Sequence, residues 1–306
     1  MNTSYDMIVI GGGPGGYTAA LYGARAGLSV LVLERLSPGG QMALTHQIDN
    51  YPGFDNGIDG FELGQKMQQG AQRFGARTVF AEVNYVDLKA QPKTVDTSEG
   101  RFYGRTVVFA TGAEPRTLGV PVEKEIAGRG VHYCAACDGM FYRGKTVVVV
   151  GGGNSAVAEA VVLSRVARKV ILVHRRDTLR ADKASAQPLE KADNVEFHWN
   201  SAVVELLNDG HVTGVRLRNV NTGEESVVEC DGVFVSIGRK PATALVEGQL
   251  TLDQSGYVVA DESTCTNIPG VYAVGDVRAK AVRQIVTAVS DGAAAAHFAQ
   301  EYLADY

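Results

Sequence analysis

Residues 7–10 read Met-Ile-Val-Ile, residues 11–16 Gly-Gly-Gly-Pro-Gly-Gly, residues 17–27 Tyr-Thr-Ala-Ala-Leu-Tyr-Gly-Ala-Arg-Ala-Gly, and residues 29–34 Ser-Val-Leu-Val-Leu-Glu. The apolar, β-branched runs suit strands buried on both faces of a parallel sheet, and the Ala- and Leu-containing stretch between them suits a helix. The glycines fall at Gly11-x-Gly13-x-x-Gly16, between strand and helix. Gly11 permits the tight turn, Gly13 lets backbone meet a pyrophosphate, and Gly16 lets helix and strand pack closely. A helix N-terminus attracts phosphates, and an acid ~20 residues on, here Glu34, accepts hydrogen bonds from ribose hydroxyls. Such a glycine pattern is weak alone. Strand, helix and acid together make it a dinucleotide site.

The same design recurs further on. Thr146-Val-Val-Val-Val150 leads into Gly-Gly-Gly-Asn-Ser-Ala (151–156), then an apolar helical stretch, then Lys169-Val-Ile-Leu-Val-His174. The spacing from Gly151 to His174 equals that from Gly11 to Glu34, so the two units are in register. Gly151-x-Gly153-x-x-Ala156 is an accepted variant of the fingerprint. Where the first unit has an acid, the second has His174, Arg175 and Arg176, with Arg180 a turn further on. An acid there repels a ribose 2′-phosphate, whereas a guanidinium grips it with forked hydrogen bonds. The first site therefore suits an unphosphorylated adenosine ribose and the second NADPH. A solvated basic strand end is the plainer reading of the arginines, but the matched register favours NADPH.

Working outward, a strand-like Val107–Gly112 precedes Glu114-Pro115-Arg116, and a similar Gly232–Gly238 precedes Arg239-Lys240-Pro241. Both read as chain crossings. Beyond them Pro269–Val277 forms a strand-to-loop element, and an Ala-rich helix runs from about Gln284 to Leu303. The fold expected is α/β: two Rossmann-like three-layer domains, the second inserted into the first. Residues 1–114 and 242–306 form the first domain and 115–241 the second. A length of 306 residues fits two domains, and 45% hydrophobic against 21% charged residues supplies their cores. Glycine, at 36, is in excess, as turns and close backbone approaches require.

The net charge of −5 shows no basic stripe, which argues against nucleic acid. No apolar run is long enough to span a bilayer, and Met1-Asn-Thr-Ser-Tyr-Asp lacks the features of a secretory signal. A cytoplasmic setting is expected. There, four cysteines do not make a structural disulfide framework. Cys134-Ala-Ala-Cys137 is a single CxxC; zinc needs two further ligands, and Cys230 and Cys265 are isolated, so no metal is expected. A redox dithiol is favoured over two inert buried thiols. Asp138 stands next to it as an acid for a thiol that gains and loses protons, although a turn acid before Gly139 is the plainer reading. His132 flanks the pair; it offers a group to tune a thiolate, but a lone histidine is more often a packing residue.

Taken together, these motifs resemble the bacterial-type low-molecular-weight thioredoxin reductases. The resemblance covers essentially the whole chain: GGGPGGYTAA, Gly39-Gly-Gln41, Asn50-Tyr-Pro-Gly53, ATG at 110–112, CAACDG, GGGNSA, HRRDTLRA, PGVYAVGDV and Arg283-Gln284 follow the family's order. It implies FAD in the first site, a homodimer, and thioredoxin or a thioredoxin-like protein as partner. It would place Gly11, Gly13, Pro14 and Gly15 on the FAD pyrophosphate, with Glu34 and Arg35 near the adenosine ribose. Gly40, Gln41, Asn50, Val83, Ala110, Thr111 and Gly112 would line the rest of the pocket. Gly275, Asp276, Arg283, Gln284 and Ile285 would hold its ribityl and flavin end. NADPH would lie on Gly153, Asn154 and Ser155, with His174, Arg175, Arg176 and Arg180 around its 2′-phosphate. The resemblance further implies that Cys137 faces the flavin, that Cys134 attacks the partner disulfide, and that Asp138 handles the proton. Ala136, His132, Tyr133 and Met140 depart from the family's usual residues beside the dithiol.

Chain order adds one expectation. The dithiol and the NADPH turn ride on the same inserted domain, yet one flavin serves both, so that domain is expected to rotate about the crossings. The alternatives are a flavoprotein that only binds or senses, a reductase of small-molecule disulfides, and an enzyme fed by ferredoxin. The complete cysteine pair and arginine cluster weigh against them.

Overall fold

The computed structural model describes residues 4–45 and 47–305; Met1 to Thr3, part of the amino-terminal stretch read above, lie outside them. The chain opens with β1 (Ser4–Ile10), whose Met7, Ile8 and Val9 are wholly buried. α1 (Pro14–Arg25) starts on a proline, tolerated there because the first-turn N–H has no helical partner anyway. β2 (Val30–Glu34) is buried along its length. α2 (Gly60–Gln72) is capped by the Asp59 side chain, which accepts from Glu62 N. β3 (Arg77–Phe80), β4 (Val83–Asp87), β5 (Lys93–Thr97) and β6 (Gly100–Phe109) complete a sheet of order β3-β2-β1-β6-β5-β4. β1 runs parallel to both β2 and β6, whereas β4, β5 and β6 form an antiparallel meander. β7 (Ala113–Pro115) leads out of this unit.

The next stretch holds β8 (Val131–His132), α3 (Ala135–Asp138), β9 (Thr146–Val150), α4 (Asn154–Ser164), β10 (Lys169–Val173), α5 (Lys183–Glu190) and β11 (Val195–His198). β12 (Ser201–Asn208), β13 (Val212–Asn219) and β14 (Glu225–Glu229) form a separate antiparallel sheet. β15 (Gly232–Val235) returns to the parallel one, giving the order β11-β10-β9-β15-β8. β16 (Arg239–Pro241) pairs with β7. The chain then adds β17 (Val271–Ala273) alongside the second half of β6 and ends in α6 (Ile285–Ala304).

These elements divide into two compact units: residues through Glu114 and from Lys240 onward make one, Pro115–Arg239 the other. In the first, Met7 and Val9 face the small residues of α1 and α6, including Ala19, Ala20, Ala295 and Ala299, while Ile8 and Ile10 face a core that includes Leu250 and Val258. In the second, Val147 and Val149 pack on Ala156, Ala160 and Leu163 of α4, and Val148 and Val150 pack on Val203, Leu206 and Leu217 of the antiparallel sheet. The two-residue period of each strand thus serves two layers at once. In each unit one central strand, β1 or β9, is flanked by its successor on one side and a later strand on the other. That is the switch point at which open α/β sheets bind ligands.

Candidate active site

In the first unit β1 ends at Gly11, whose φ of +105° and whose position against Ala110 admit only glycine: a Cβ there would lie 2.5 Å from the Ala110 carbonyl oxygen. A Cβ at Gly13 would meet nothing within 4 Å, so the turn opens onto free space before α1, whose N-terminus has no side-chain cap. Open backbone N–H groups under an uncapped helix end are what a pyrophosphate needs, and these residues fit one. Pro14 and Gly15 form the first helical turn. Gly39 N donates to Gly12 O over 2.8 Å, and the Gly40 Cβ position lies 3.5 Å from Gly13 Cα, which brings Gly40 and Gln41 beside the turn.

Glu34, at the end of β2, is buried; its carboxylate accepts from Gly12 N at 2.7 Å and Leu36 N at 3.0 Å. The acid therefore braces the glycine turn from behind. Arg35, next to it, is exposed. Further round, Asn50 Nδ2 donates to Gln284 Oε1 at 3.1 Å, and Gln284 caps α6, whose first residue is Ile285. Thr111 Oγ1 donates to Ala242 O at 2.8 Å, and Ala242 N donates to Gly112 O at 3.0 Å, so two sequence-distant edges of the expected pocket are tied together. Arg283 lies over the Tyr257 ring at 4.0 Å. Gly275 N donates to the buried Asp291, 2.8 Å away, and Asp276 follows it. Val83 opens β4 and is half-buried.

In the second unit Gly153 likewise caps α4 without a side-chain bond, and Asn154 and Ser155 are exposed at the helix start. Asn154 Nδ2 donates to Asp182 Oδ2 and Asp182 N to Asn154 Oδ1, each at 2.9 Å. Arg180 N donates to Gly152 O at 2.7 Å, and the Arg180 Nη2 lies 3.8 Å from the Gly153 Cβ position. Arg175, Arg176 and Arg180 are exposed around this turn. His174 is not: its ring is buried beneath Gly152, where a Cβ would come within 2.4 Å of it. Burial first, then Arg176, Arg180 and Arg175, lower its proton affinity, so it is neutral at pH 7. The cations at this turn are the three arginines.

Cys134 and Cys137 form a disulfide, with Cα atoms 5.3 Å apart. Cys134 caps α3 and Cys137 lies within it; Cys137 N donates to Cys134 O at 3.2 Å and Asp138 N to the same oxygen at 3.1 Å. The Asp138 carboxylate sits 3.1 Å from His132 Nδ1. Of the remaining cysteines, Cys265 is exposed and Cys230 buried, and burial pushes the Cys230 thiol up to about 12, leaving it inert.

Residues 5–292 match the model of the family described as pyridine nucleotide-disulphide oxidoreductase. The chain belongs to this family. Among its relatives is a protein named thioredoxin reductase from Listeria monocytogenes, 47% identical over 300 residues, 98% of this chain and 94% of that one. A protein from Mycobacterium leprae named bifunctional thioredoxin reductase/thioredoxin is 46% identical over 306 residues, 99% of this chain and 67% of its own length. The solved thioredoxin reductase of Streptococcus pyogenes matches with a TM-score of 0.92 at 43% identity, covering 100% of both chains.

For this oxidoreductase the sequence left several site groups unread. Tyr142 and Phe234 surround His132, and Glu159 of α4 lies near Asp138. Arg278 and Lys280 share the Asp291 carboxylate beside Gly275. Each of these partners lies far along the chain or in an unremarkable helical stretch, so no spacing rule marks it.

Proposed function

We propose that the protein is an NADPH-dependent thioredoxin-disulfide reductase, with FAD as its flavin. The observation that carries this reading is the Cys134–Cys137 disulfide with Asp138 beside it, on the same unit as an arginine-ringed nucleotide turn. When bound, the two cofactors supply the hydride chemistry that carries two electrons from the nicotinamide to the disulfide. The turn at Gly11, Gly13, Pro14 and Gly15 would hold the FAD pyrophosphate, and Glu34 its adenosine ribose. Asn50, Thr111, Gly112 and Gln284 would line the flavin end. Gly153, Asn154 and Ser155 would carry the NADPH pyrophosphate, and Arg175, Arg176 and Arg180 its 2′-phosphate.

Cys134, as thiolate, attacks the partner disulfide through a mixed disulfide, Cys137 resolves it, and Asp138 handles the proton. The partner is thioredoxin or a thioredoxin-like protein, in keeping with the Mycobacterium leprae relative named bifunctional thioredoxin reductase/thioredoxin. A homodimer and a cytoplasmic setting belong to the same reading; among the described residues no helix is long and apolar enough to cross a membrane.

Anaerobic stopped-flow absorbance tests it. The oxidised-flavin band should bleach rapidly with NADPH, and with NADH at least ~10-fold more slowly, since each arginine grip on a 2′-phosphate is a charge-assisted pair. An Arg175→Ala, Arg176→Ala double variant should erase most of that preference. No bleaching with either nucleotide would move the electron source elsewhere.

A further inference from the structure

Beside the disulfide the fold assembles groups that the reaction as described leaves unused. His132, the last residue of β8, is buried, its ring stacked 5.2 Å from Phe234 and edge-on to Tyr142, also at 5.2 Å. Nδ1 lies 3.1 Å from Asp138 Oδ2, and Nε2 lies 2.7 Å from the Tyr142 hydroxyl. The imidazole therefore joins the carboxylate next to Cys137 to a buried phenol. Burial, followed by Asp138, Cys230 and Asp231, pushes that phenol up to about 12, so it stays protonated at neutral pH and can donate to or accept from Nε2. Nδ1 faces the Asp138 carboxylate, so ring and carboxylate can share a proton. Asp231 is a further charged neighbour of the phenol, and Glu159 of α4 interacts with Asp138 as a like charge.

We propose that His132 and Asp138 act as one proton-holding pair, the proton shared across the Nδ1–Oδ2 contact being the one passed to the departing thiolate. This rests on the reading of Asp138 as the proton donor. His132 acts through Asp138 and is a positioning residue.

The Cys134 thiolate attacks the partner disulfide; the partner S–S bond breaks, a Cys134–partner S–S bond forms, and the departing partner thiolate takes the proton held by the pair. Cys137 then gives its thiol proton to the pair and attacks the Cys134 sulfur. The Cys134–Cys137 bond forms, the mixed disulfide breaks, and the second partner thiolate takes that proton. Two electrons pass from the dithiol to the partner, which leaves with two thiols.

The pH profile of kcat for thioredoxin reduction, between about pH 6 and 9, tests the pair in the FAD-loaded enzyme. In His132→Phe and His132→Asn the alkaline limb should move down by about one pH unit, and kcat at pH 8 should fall roughly fivefold to tenfold, as loss of a matched proton donor predicts. Bleaching of the flavin by NADPH should keep its rate in both, which a general loss of structure would not allow. A His132→Phe profile matching the parent overturns the proposal. So does an asparagine variant that behaves like the parent, because asparagine keeps a donor toward Asp138 but holds no extra proton. If phenylalanine prevents folding, the asparagine variant alone decides. Asp138→Asn run in parallel separates the two ideas: undiminished thioredoxin reduction there would remove Asp138 as the donor, whatever His132 does.

Discussion

Glu159 is a carboxylate in an apolar helix, with Oε2 buried and unpaired, and burial pushes its carboxyl from 4.5 up to about 7. Arg239 and a hydrogen bond with Ser236 pull the other way, and Asp138 adds to the rise. A raised carboxyl pKa means that the folded state binds this proton more tightly than the unfolded chain. Its contribution to stability is therefore present at low pH and lost as pH climbs from about 4.5 to about 7. Glu159→Gln, neutral at every pH, should raise the unfolding temperature of the FAD-loaded protein at pH 8 by a few degrees, on the order of 2 kcal/mol. The gain should vanish near pH 4.5, and an equal gain at both pH values would contradict the assignment. At this scale legibility depended on spacing. Glu34 was readable because its distance from Gly11 fixes its place. Glu159 was not, because Val-Ala-Glu-Ala-Val looks like a helix with one solvated acid, and the end of β15 that covers it lies far along the chain.

Among elements, α1 and α6 show how small residues set a site. A Cβ at Gly292 would stand 2.2 Å from Gly15 O and 2.9 Å from Ala19 N, so α6 touches the backbone of the first turns of α1. Alanine in a helix interior is ordinarily better than glycine by about 0.5–1 kcal/mol. Contact with a fixed backbone oxygen outweighs that, because overpacking costs about 1–3 kcal/mol. Gly292→Ala should therefore lower the unfolding temperature and, by pushing α1 aside at the Gly13 turn, weaken FAD retention several-fold. Ser290→Ala, exposed one turn face away, is the control, and equal behaviour of the two variants would refute the argument. The elements that carry the glycine turns were legible because β-branched runs, turns and Ala-rich helices follow each other at short range. The antiparallel β12–β14 sheet had no such marker. Its layer against β9 and β10 is defined by pairing between strands rather than by any motif within one.

For the whole molecule, one consequence of the chain path reaches beyond either unit. The unit of residues Pro115–Arg239 carries both the disulfide and the Gly153 turn, while the Gly13 turn belongs to the other. We propose that a single flavin, held by the other unit, must meet the nicotinamide at one moment and the disulfide at another, and that the dithiol must then reach a bulky protein. A fixed unit would struggle to serve all three, so on this reading the inserted unit turns about the chain crossings at β7 and β16 during turnover. The crossings pair as β7 and β16; Ala242 N donates to Gly112 O in the first unit and Arg116 N to Gly238 O in the second, each over 3.0 Å. A short bifunctional reagent that joins the two units, mapped by peptide analysis, should abolish steady-state thioredoxin reduction by at least ~10-fold while leaving at most one partial reaction, either bleaching by NADPH or reoxidation by thioredoxin. Cleaving the crosslink should restore both. Full turnover in the crosslinked enzyme would mean that one orientation suffices, and the two halves of the reaction would then have to share a single arrangement of nucleotide and dithiol.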